Sequence, residues 1–283
     1  MISLVMKKSL LKILAISILF TLSINLFSGD LDSINLESKE DTLKNCFEDI
    51  FNSRNDKEKL LINNRIIKIF SEILISPESV YYPFDSLKFL GKLQSPDKSF
   101  KIYNWNIPFN DGSNKYFCFI QLIGKRKKAC ELIQLFDKSE EITQPETEVL
   151  TDKNWFGALY FNIILKKHSG RKYYTLLAYD LNNLLTRKKI IDVLYFDENN
   201  MPHFGAPVFK NEEVLINRVI FEYSASVVMS LNYFKKKKMI IYDHLSPSDP
   251  SYNGQYQFYG PDLSYDAYIF KKGKWNYIAD VDL

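Results

Sequence analysis

The chain has 283 residues, of which 46% are hydrophobic, 15% aromatic and 25% charged. Such a chain can bury one large core, which excludes an intrinsically disordered or collagen-like polypeptide. Lys and Arg number 37 and Asp and Glu 34, but three of the cations, Lys7, Lys8 and Lys12, lie in the first 28 residues, which contain no acid. Without that segment the formal charge is near zero, which gives no support for a nucleic-acid or anionic-membrane partner.

Residues 1–28 have the pattern of a secretory signal peptide. A basic start precedes an apolar run over residues 13–27, and Ser28-Gly29 offers small residues to a signal peptidase. A membrane-spanning helix needs about 20 apolar residues, whereas this run has about 15 and contains polar interruptions. An uncleaved anchor is the alternative, because Leu26 is large for the position three residues before the cut. We expect cleavage, no transmembrane anchor thereafter, and export to the periplasm, the outer membrane or the cell surface.

Residues 29–90 are predicted to be a helical segment. Apolar residues at three-four spacing indicate a first amphipathic helix that Ser38 and Asp41 open as a capping box. A second helix is predicted to begin near Asn55 or Asp56 and to end before Pro77. Since each helix has one apolar face, we expect both to pack on the β domain that follows.

Residues 91–283 are predicted to form an antiparallel β domain. After Asp97, short β-rich runs alternate with turn residues such as Asn110-Asp111-Gly112 and His168-Ser169-Gly170, which is typical of a meander. No βαβ unit is visible, which excludes doubly wound and TIM-barrel folds. The fold class is therefore α+β: a mainly β sandwich or open barrel with N-terminal helices packed on it.

A weak internal repeat keeps a second architecture open. Residues 100–137 and 156–197 each contain a Lys-Tyr-aromatic run, then Arg-Lys-Lys, then Phe-Asp. Such repetition is compatible with blades of a small β-propeller. The simpler interpretation is that any meander joined by Lys-rich turns looks similar to itself.

Three cysteines are too few for a disulfide framework in a domain of this size. The best pair is Cys118 with Cys130, on the two strands of a predicted hairpin. If Ile123 lies opposite Lys128, the residue opposite Cys118 is Ile133, too far from Cys130 for a bridge. We therefore predict buried free thiols.

The loop after Asp243 is the best candidate for chemistry. Asp243, His244, Ser246 and Asp249 supply the residue types of Ser/His/Asp catalysis or of a metal site, and loops held by rigid strands are where sites lie. No G-x-S-x-G elbow or H-x-x-x-H pair accompanies them, so a structured turn is the alternative.

Aromatic and acidic residues just downstream are candidates for binding. Tyr256, Tyr259, Asp262 and Asp266 follow the loop, and exposed Tyr faces often stack on sugars or anchor protein partners. The alternative is that Tyr and Phe simply fill the faces of a sandwich. Catalysis requires His244 and nearby carboxylates to meet in one cleft.

Cofactor and metal signals are weak. Asp180-Leu181-Asn182-Asn183 and Asp197-Glu198-Asn199-Asn200 could offer oxygens to calcium, but both lack the Gly and closing Glu of a calcium loop. The three histidines are scattered, and no Walker loop or G-x-G-x-x-G occurs. We therefore predict no metal, no cofactor and no nucleic-acid partner.

One resemblance covers roughly residues 40–283. It rests on these runs: Leu93-Gln94-Ser95-Pro96-Asp97-Lys98, Asn154-Trp155-Phe156-Gly157-Ala158-Leu159-Tyr160, Tyr173-Tyr174-Thr175-Leu176-Leu177, the two segments 189–196 and 204–209, and Asp243-His244-Leu245 through 255–262. They resemble those of a family of secreted, uncharacterised proteins of Bacteroidota. The resemblance implies an exported envelope protein of a Gram-negative bacterium and transfers no catalytic residue.

Two functional classes follow. The first is a non-catalytic envelope or periplasmic module that binds a protein or a glycan through an aromatic-lined loop face. The second is a secreted hydrolase with its site in the loop after Asp243.

Overall fold

The structure is a computed structural model that describes residues 35–124, 130–211 and 213–282. The predicted signal peptide and the Arg126-Lys127-Lys128 turn lie outside the described residues. Two α-helices come first, α1 (Leu36–Asn52) and α2 (Asp56–Ile73). Within the described ranges, no helix is long and apolar enough to cross a membrane.

Each helix begins after an asparagine whose side chain accepts from backbone N–H groups, and the predicted start of the first helix was wrong. Asn55 caps α2 as predicted, because its side chain accepts from the backbone N–H groups of Lys57 and Glu58. Helix α1 begins before the predicted capping box, so Ser38 lies inside it. The Oδ1 atom of Asn35 accepts from the Ser38 N–H at 3.0 Å instead.

The β domain contains sixteen strands in the described residues. In chain order their bounds are β1 Gly91–Gln94, β2 Phe100–Pro108, β3 Asn114–Ile123, β4 Cys130–Phe136, β5 Leu150–Thr151, β6 Leu159–His168, β7 Arg171–Asp180, β8 Thr186–Phe196, β9 Pro202–Phe204, β10 Phe209–Asn211, β11 Val214–Ile216, β12 Val219–Ser224, β13 Leu231–Phe234, β14 Met239–Pro247, β15 Tyr259–Lys271 and β16 Lys274–Ile278.

These strands form three sheets. The first sheet is a simple meander in the order β1-β2-β3-β4. The middle sheet has the order β5-β9-β8-β7-β6, with β12 also paired to β8. The third sheet has the order β11-β10-β16-β15-β14-β13, in which β10 and β16 are parallel. The predicted mainly β class with N-terminal helices is confirmed, and the sheets form a sandwich.

The middle sheet is buried on both faces. Leu176 belongs to the core shared with the first sheet, and its neighbour Leu177 to the core shared with the third. Successive side chains on a strand point to opposite faces, so a strand covered on both sides reads as a continuous apolar run. This explains why apolar and polar residues do not alternate in Leu176-Leu177-Ala178 of β7.

The helices cover the outer face of the first sheet. The rings of Phe47 and Phe70 lie 6.0 and 5.5 Å from the indole of Trp105 on β2. The Trp105 Nε1–H donates to Asn63 Oδ1 at 2.7 Å, which satisfies a polar group in a fully buried position.

The weak repeat corresponds to two three-stranded meanders, β2-β3-β4 and β6-β7-β8, in different sheets. Strand order differs from sheet to sheet, and among the strands in the described ranges only those of the third sheet include a parallel pair. The sheets are therefore not copies of one propeller blade, and the sandwich alternative describes the structure.

The cysteines are free thiols, as predicted, although the register used to argue it was wrong by two residues. Cys118 lies opposite Leu135, and Cys130 lies opposite Ile123. Cys46 and Cys118 are buried, whereas Cys130 is half-buried.

The two ends of the sandwich differ. At one end, here called the loop end, Leu184 of the β7–β8 turn lies against Gly112 of the β2–β3 turn, and the β14–β15 connection spans residues 248–258. The other end carries the turns that join β6 to β7, β13 to β14 and β15 to β16.

Candidate functional site

An irregularity in the β14–β15 pair creates the candidate site. Asp243 lies opposite Tyr265, and Leu245 lies opposite Pro261. Between these two pairs, three residues of β15, 262–264, lie opposite a single residue of β14, His244. Leu263 has a φ of 76° and is 92% exposed, which marks the apex of this bulge. The bulge brings Asp262 toward the imidazole of His244.

His244 lies between two carboxylates. Its Nδ1 is 2.8 Å from Oδ2 of Asp266, and its Nε2 is 3.9 Å from Oδ2 of Asp262. A carboxylate only accepts, so Nδ1–H is the donor to Asp266. Catalysis would require His244 and nearby carboxylates to meet in one place, and the structure brings Asp262 and Asp266 together there.

Asp266 is the buried anchor of the site, with a residue exposure of 4%. Besides His244, the Tyr277 hydroxyl donates to its Oδ2 at 2.9 Å, and the Asp280 N–H donates to its Oδ1 at 3.3 Å. Three donors therefore satisfy a carboxylate that would otherwise be costly to bury.

The electrostatics favour a cationic His244. The hydrogen bond to Asp266 raises the pKa of His244; burial opposes this, and the charges of Asp266, Asp262 and Asp280 reinforce it. The hydrogen bond from the Ser264 hydroxyl lowers the pKa of Asp262. Burial and Asp266 raise the pKa of Tyr277, so its phenol stays neutral. The arrangement is a histidine between two carboxylates that favour its protonated form.

The other predicted catalytic residues make different contacts. Asp243 accepts from the Ser230 N–H at 2.7 Å. Asp249 accepts from the N–H and hydroxyl of Ser251 at 2.9 and 2.6 Å, which caps a single helical turn. Ser246 is half-buried in β14, opposite Gly260. Asp249 is not among the carboxylates within 4 Å of His244.

The aromatic loop, residues 249–259, adjoins this cluster at the loop end. The rings of Tyr252 and Phe258 stack at 4.1 Å, and those of Tyr256 and Tyr259 lie 5.2 Å apart. The Tyr259 hydroxyl donates to Asn253 Oδ1 at 2.9 Å, so its ring is held in place. Tyr256 and Phe258 nevertheless stay 44% and 39% exposed.

The two Asp/Asn turns have structural roles. Asp180 is buried and accepts from the Tyr116 hydroxyl and the Asn182 N–H, both at 2.7 Å. Asp197 accepts from the backbone N–H groups of Asn199 and Met201. Side-chain oxygens that bind nearby N–H groups stabilise turns. In the ranges that the structure describes, no group of three or more His, Cys, Asp or Glu residues is placed to hold a metal ion.

A groove between the first and middle sheets was missed by the sequence analysis. It has a volume of about 1230 Å³, and two of its lining residues, Lys172 and Tyr174, contact Asp97. Oδ2 of Asp97 lies 2.7 Å from Lys172 Nζ and accepts from the Tyr174 hydroxyl at 2.9 Å. Burial alone would raise the pKa of Asp97, but hydrogen bonds from Lys172, Ser99 and Tyr174 hold it well below its usual value. Lys172 and Asp97 are 75 residues apart, so no local pattern announces the pair.

Comparisons of the chain with protein-family models, with curated proteins and with solved structures find no match. The local geometry therefore carries the functional argument.

Proposed function

We propose that this protein is an exported envelope or periplasmic module that binds a protein or glycan partner through the aromatic loop, without catalysis. The observation that carries the proposal is the exposure of Tyr256 and Phe258 on a loop whose conformation is held by stacking and hydrogen bonds. Rigid, exposed aromatic rings lose little entropy on binding and offer large contact areas. Asp262 and His244 add polar groups at the adjacent bulge.

A paired substitution tests the role of the loop. Tyr256→Ala with Phe258→Ala should lower partner binding at least about tenfold, since two such anchors each contribute more than about 1 kcal/mol. Binding would be measured on glycan arrays and by photo-crosslinking in intact cells from position 255, where Gln255 is exposed.

A matched control lies on the helical side. Phe51 and Phe89 are also stacked, at 4.2 Å, and are 42% and 47% exposed. Replacing both with Ala removes the same kind of surface from a different face. If this control lowers binding as much as the loop variant does, the loop is not the binding surface.

A secreted hydrolase is the second candidate, and one observation favours it. The His244 imidazole donates to a buried carboxylate, as in sites where a carboxylate orients a general base. Against it, the two ring nitrogens of His244 face the carboxylates of Asp266 and Asp262, and among the described residues no hydroxyl nucleophile is hydrogen-bonded to the imidazole. Ester, peptide and glycoside reporters, assayed with the parent and with His244→Ala, separate the two. Activity that disappears in a folded variant would favour the hydrolase.

Export is tested separately. A protein with a carboxy-terminal tag should fractionate with the envelope, and its intact mass should lack residues 1–28. A mature protein that begins at Met1 or Met6 would contradict cleavage.

A further inference from the structure

Lysine-rich turns meet at the end of the sandwich opposite the aromatic loop. The β13–β14 turn is Lys235-Lys236-Lys237-Lys238, and the β15–β16 turn carries Lys271 and Lys272. Met239 lies opposite Ile269, so these two hairpin turns are at the same end of the third sheet. The two turns are more than thirty residues apart in the sequence, so only strand pairing brings them together.

The β6–β7 turn of the middle sheet joins them. A Cβ atom on Gly273 would lie 2.3 Å from Cδ2 of His168, so the two turns are in contact. Next to it, Lys166 Nζ lies 3.3 Å from the Tyr233 hydroxyl and 5.1 Å from the centre of the Trp275 ring. These contacts hold Lys166 and the end of β6 against the third sheet.

The lysine end is defined here by six residues, all exposed: Lys235, Lys236, Lys237, Lys238, Lys271 and Lys272. Among the described residues, no carboxylate lies within 4 Å of any of these six ammonium groups. Lys237 donates to a main-chain oxygen, that of Asp282, at 2.9 Å. The surface is therefore strongly cationic although the chain without its first 28 residues is nearly neutral.

We propose that the lysine end binds the surface of a lipid bilayer that contains anionic phospholipids. Lysines near such a surface gain electrostatic attraction without needing a defined partner geometry. Phe234, at the base of the β13–β14 turn, is 39% exposed and supplies an apolar side chain beside the charges. Basic residues next to an exposed aromatic ring are typical of protein surfaces that bind at the membrane interface.

The same features disfavour nucleic acid. All six cations are lysines, which act as point charges, whereas base edges are read largely through the fork of arginine. The lysines lie at two hairpin turns of the third sheet, and Tyr233 and Trp275 are occupied by Lys166 rather than open for base stacking.

The test compares the full chain with two variants of equal charge. The first changes Lys235, Lys236, Lys237 and Lys238 to Gln. The control changes four exposed lysines that lie elsewhere, Lys57, Lys115, Lys138 and Lys153, to Gln. Each lysine at an anionic surface is worth about a fivefold change in partitioning, so the first variant should bind at least about a hundredfold more weakly. The control should stay within about threefold of the parent.

Binding would be measured by co-sedimentation with phosphatidylcholine vesicles containing or lacking about 30% phosphatidylglycerol. All three proteins share residues 1–34, so a difference between the proteins on the same anionic vesicles reports the substituted lysines. Raising the salt from about 0.15 M to about 1 M should abolish that difference.

Three results would overturn the proposal. The first is equal binding to the two vesicle types, and the second is an equal loss in the control variant. The third is tighter binding to duplex DNA or RNA than to the anionic vesicles at the same salt. Unchanged melting temperatures of both variants would show that the lysine changes leave the fold intact.

Discussion

The contact between His244 and Asp266 makes a prediction that distinguishes an ion pair from an ordinary hydrogen bond. Replacing His244 with Ala removes one of the three donors to the buried Asp266 carboxylate and leaves the Tyr277 hydroxyl and the Asp280 N–H in place. The variant should therefore fold, with a lower free energy of unfolding.

The expected loss follows from the geometry. A hydrogen bond involving a charged group contributes about 1.5 to 3 kcal/mol. The His244 side chain is 44% exposed, and solvent screening reduces its contribution to about 1 to 1.5 kcal/mol. The remaining donors prevent the larger penalty of an unpaired buried carboxylate.

The loss should depend on pH in one direction. The hydrogen bond to Asp266 raises the pKa of His244 above its ordinary value of 6.5 in the folded protein. A raised histidine pKa contributes stability that is complete below the unfolded pKa and is lost as the pH rises through the folded pKa. The cost of His244→Ala should thus be largest near pH 5.5 and fall to about 0.5 kcal/mol near pH 9, the value of a neutral hydrogen bond.

Urea unfolding of the parent and variant at the two pH values measures this. Tyr277→Phe is the matched control, since it removes another donor to the same carboxylate atom. The phenol stays neutral over this range, so its loss should cost about 1 kcal/mol at both pH values. A His244→Ala cost that is constant with pH, or that grows as the pH rises, would refute the ion-pair reasoning.

Three further predictions concern the rest of the fold. Asp97→Asn should lose about 1.5 to 3 kcal/mol at pH 7, because the depressed pKa contributes stability that is present above 3.8 and lost as the pH falls through the folded value; chemical unfolding at pH 7 and in acid checks this. Phe70→Ala should lose about 3 to 5 kcal/mol in urea unfolding, since the fully buried ring packs on Trp105, and a loss below about 1 kcal/mol would contradict the packing of the helices. Strong reductant should leave the melting temperature unchanged, because Cys118 and Cys130 are free; a clear decrease would reveal a disulfide.

Local patterns accounted for much of the fold. Three-four spacing of apolar residues and the Asn55 cap located the helices, since both signals act within one or two turns. Turn residues such as Asn110-Asp111-Gly112 located the hairpins for the same reason. The register of β3 and β4 was misjudged by two residues, because it depends on the length of a turn whose conformation the sequence does not specify.

The candidate site was found only in part. His244 stood out as a histidine beside an acid, and Asp262 and Asp266 were named as binding candidates. Asp266 binds His244 because it lies opposite Tyr242, on the face of the sheet that His244 shares, and the bulge at residues 262–264 brings Asp262 to the other ring nitrogen. A bulge is a property of two paired strands and cannot be read from either one alone.

The sequence by itself determined the class of fold, the order of its elements and a net charge near zero beyond the first 28 residues. These properties depend on composition and on residues that are close together in the chain. Only the tertiary structure decided how those elements stack and where the charges lie. The pairing of β13 with β14, of β14 with β15 and of β15 with β16 brings lysines from two distant turns to one end of the third sheet. His244 and the aromatic loop lie toward the other end of β14. Electrostatic potential depends on distances in space, and those distances are set by long-range strand pairing.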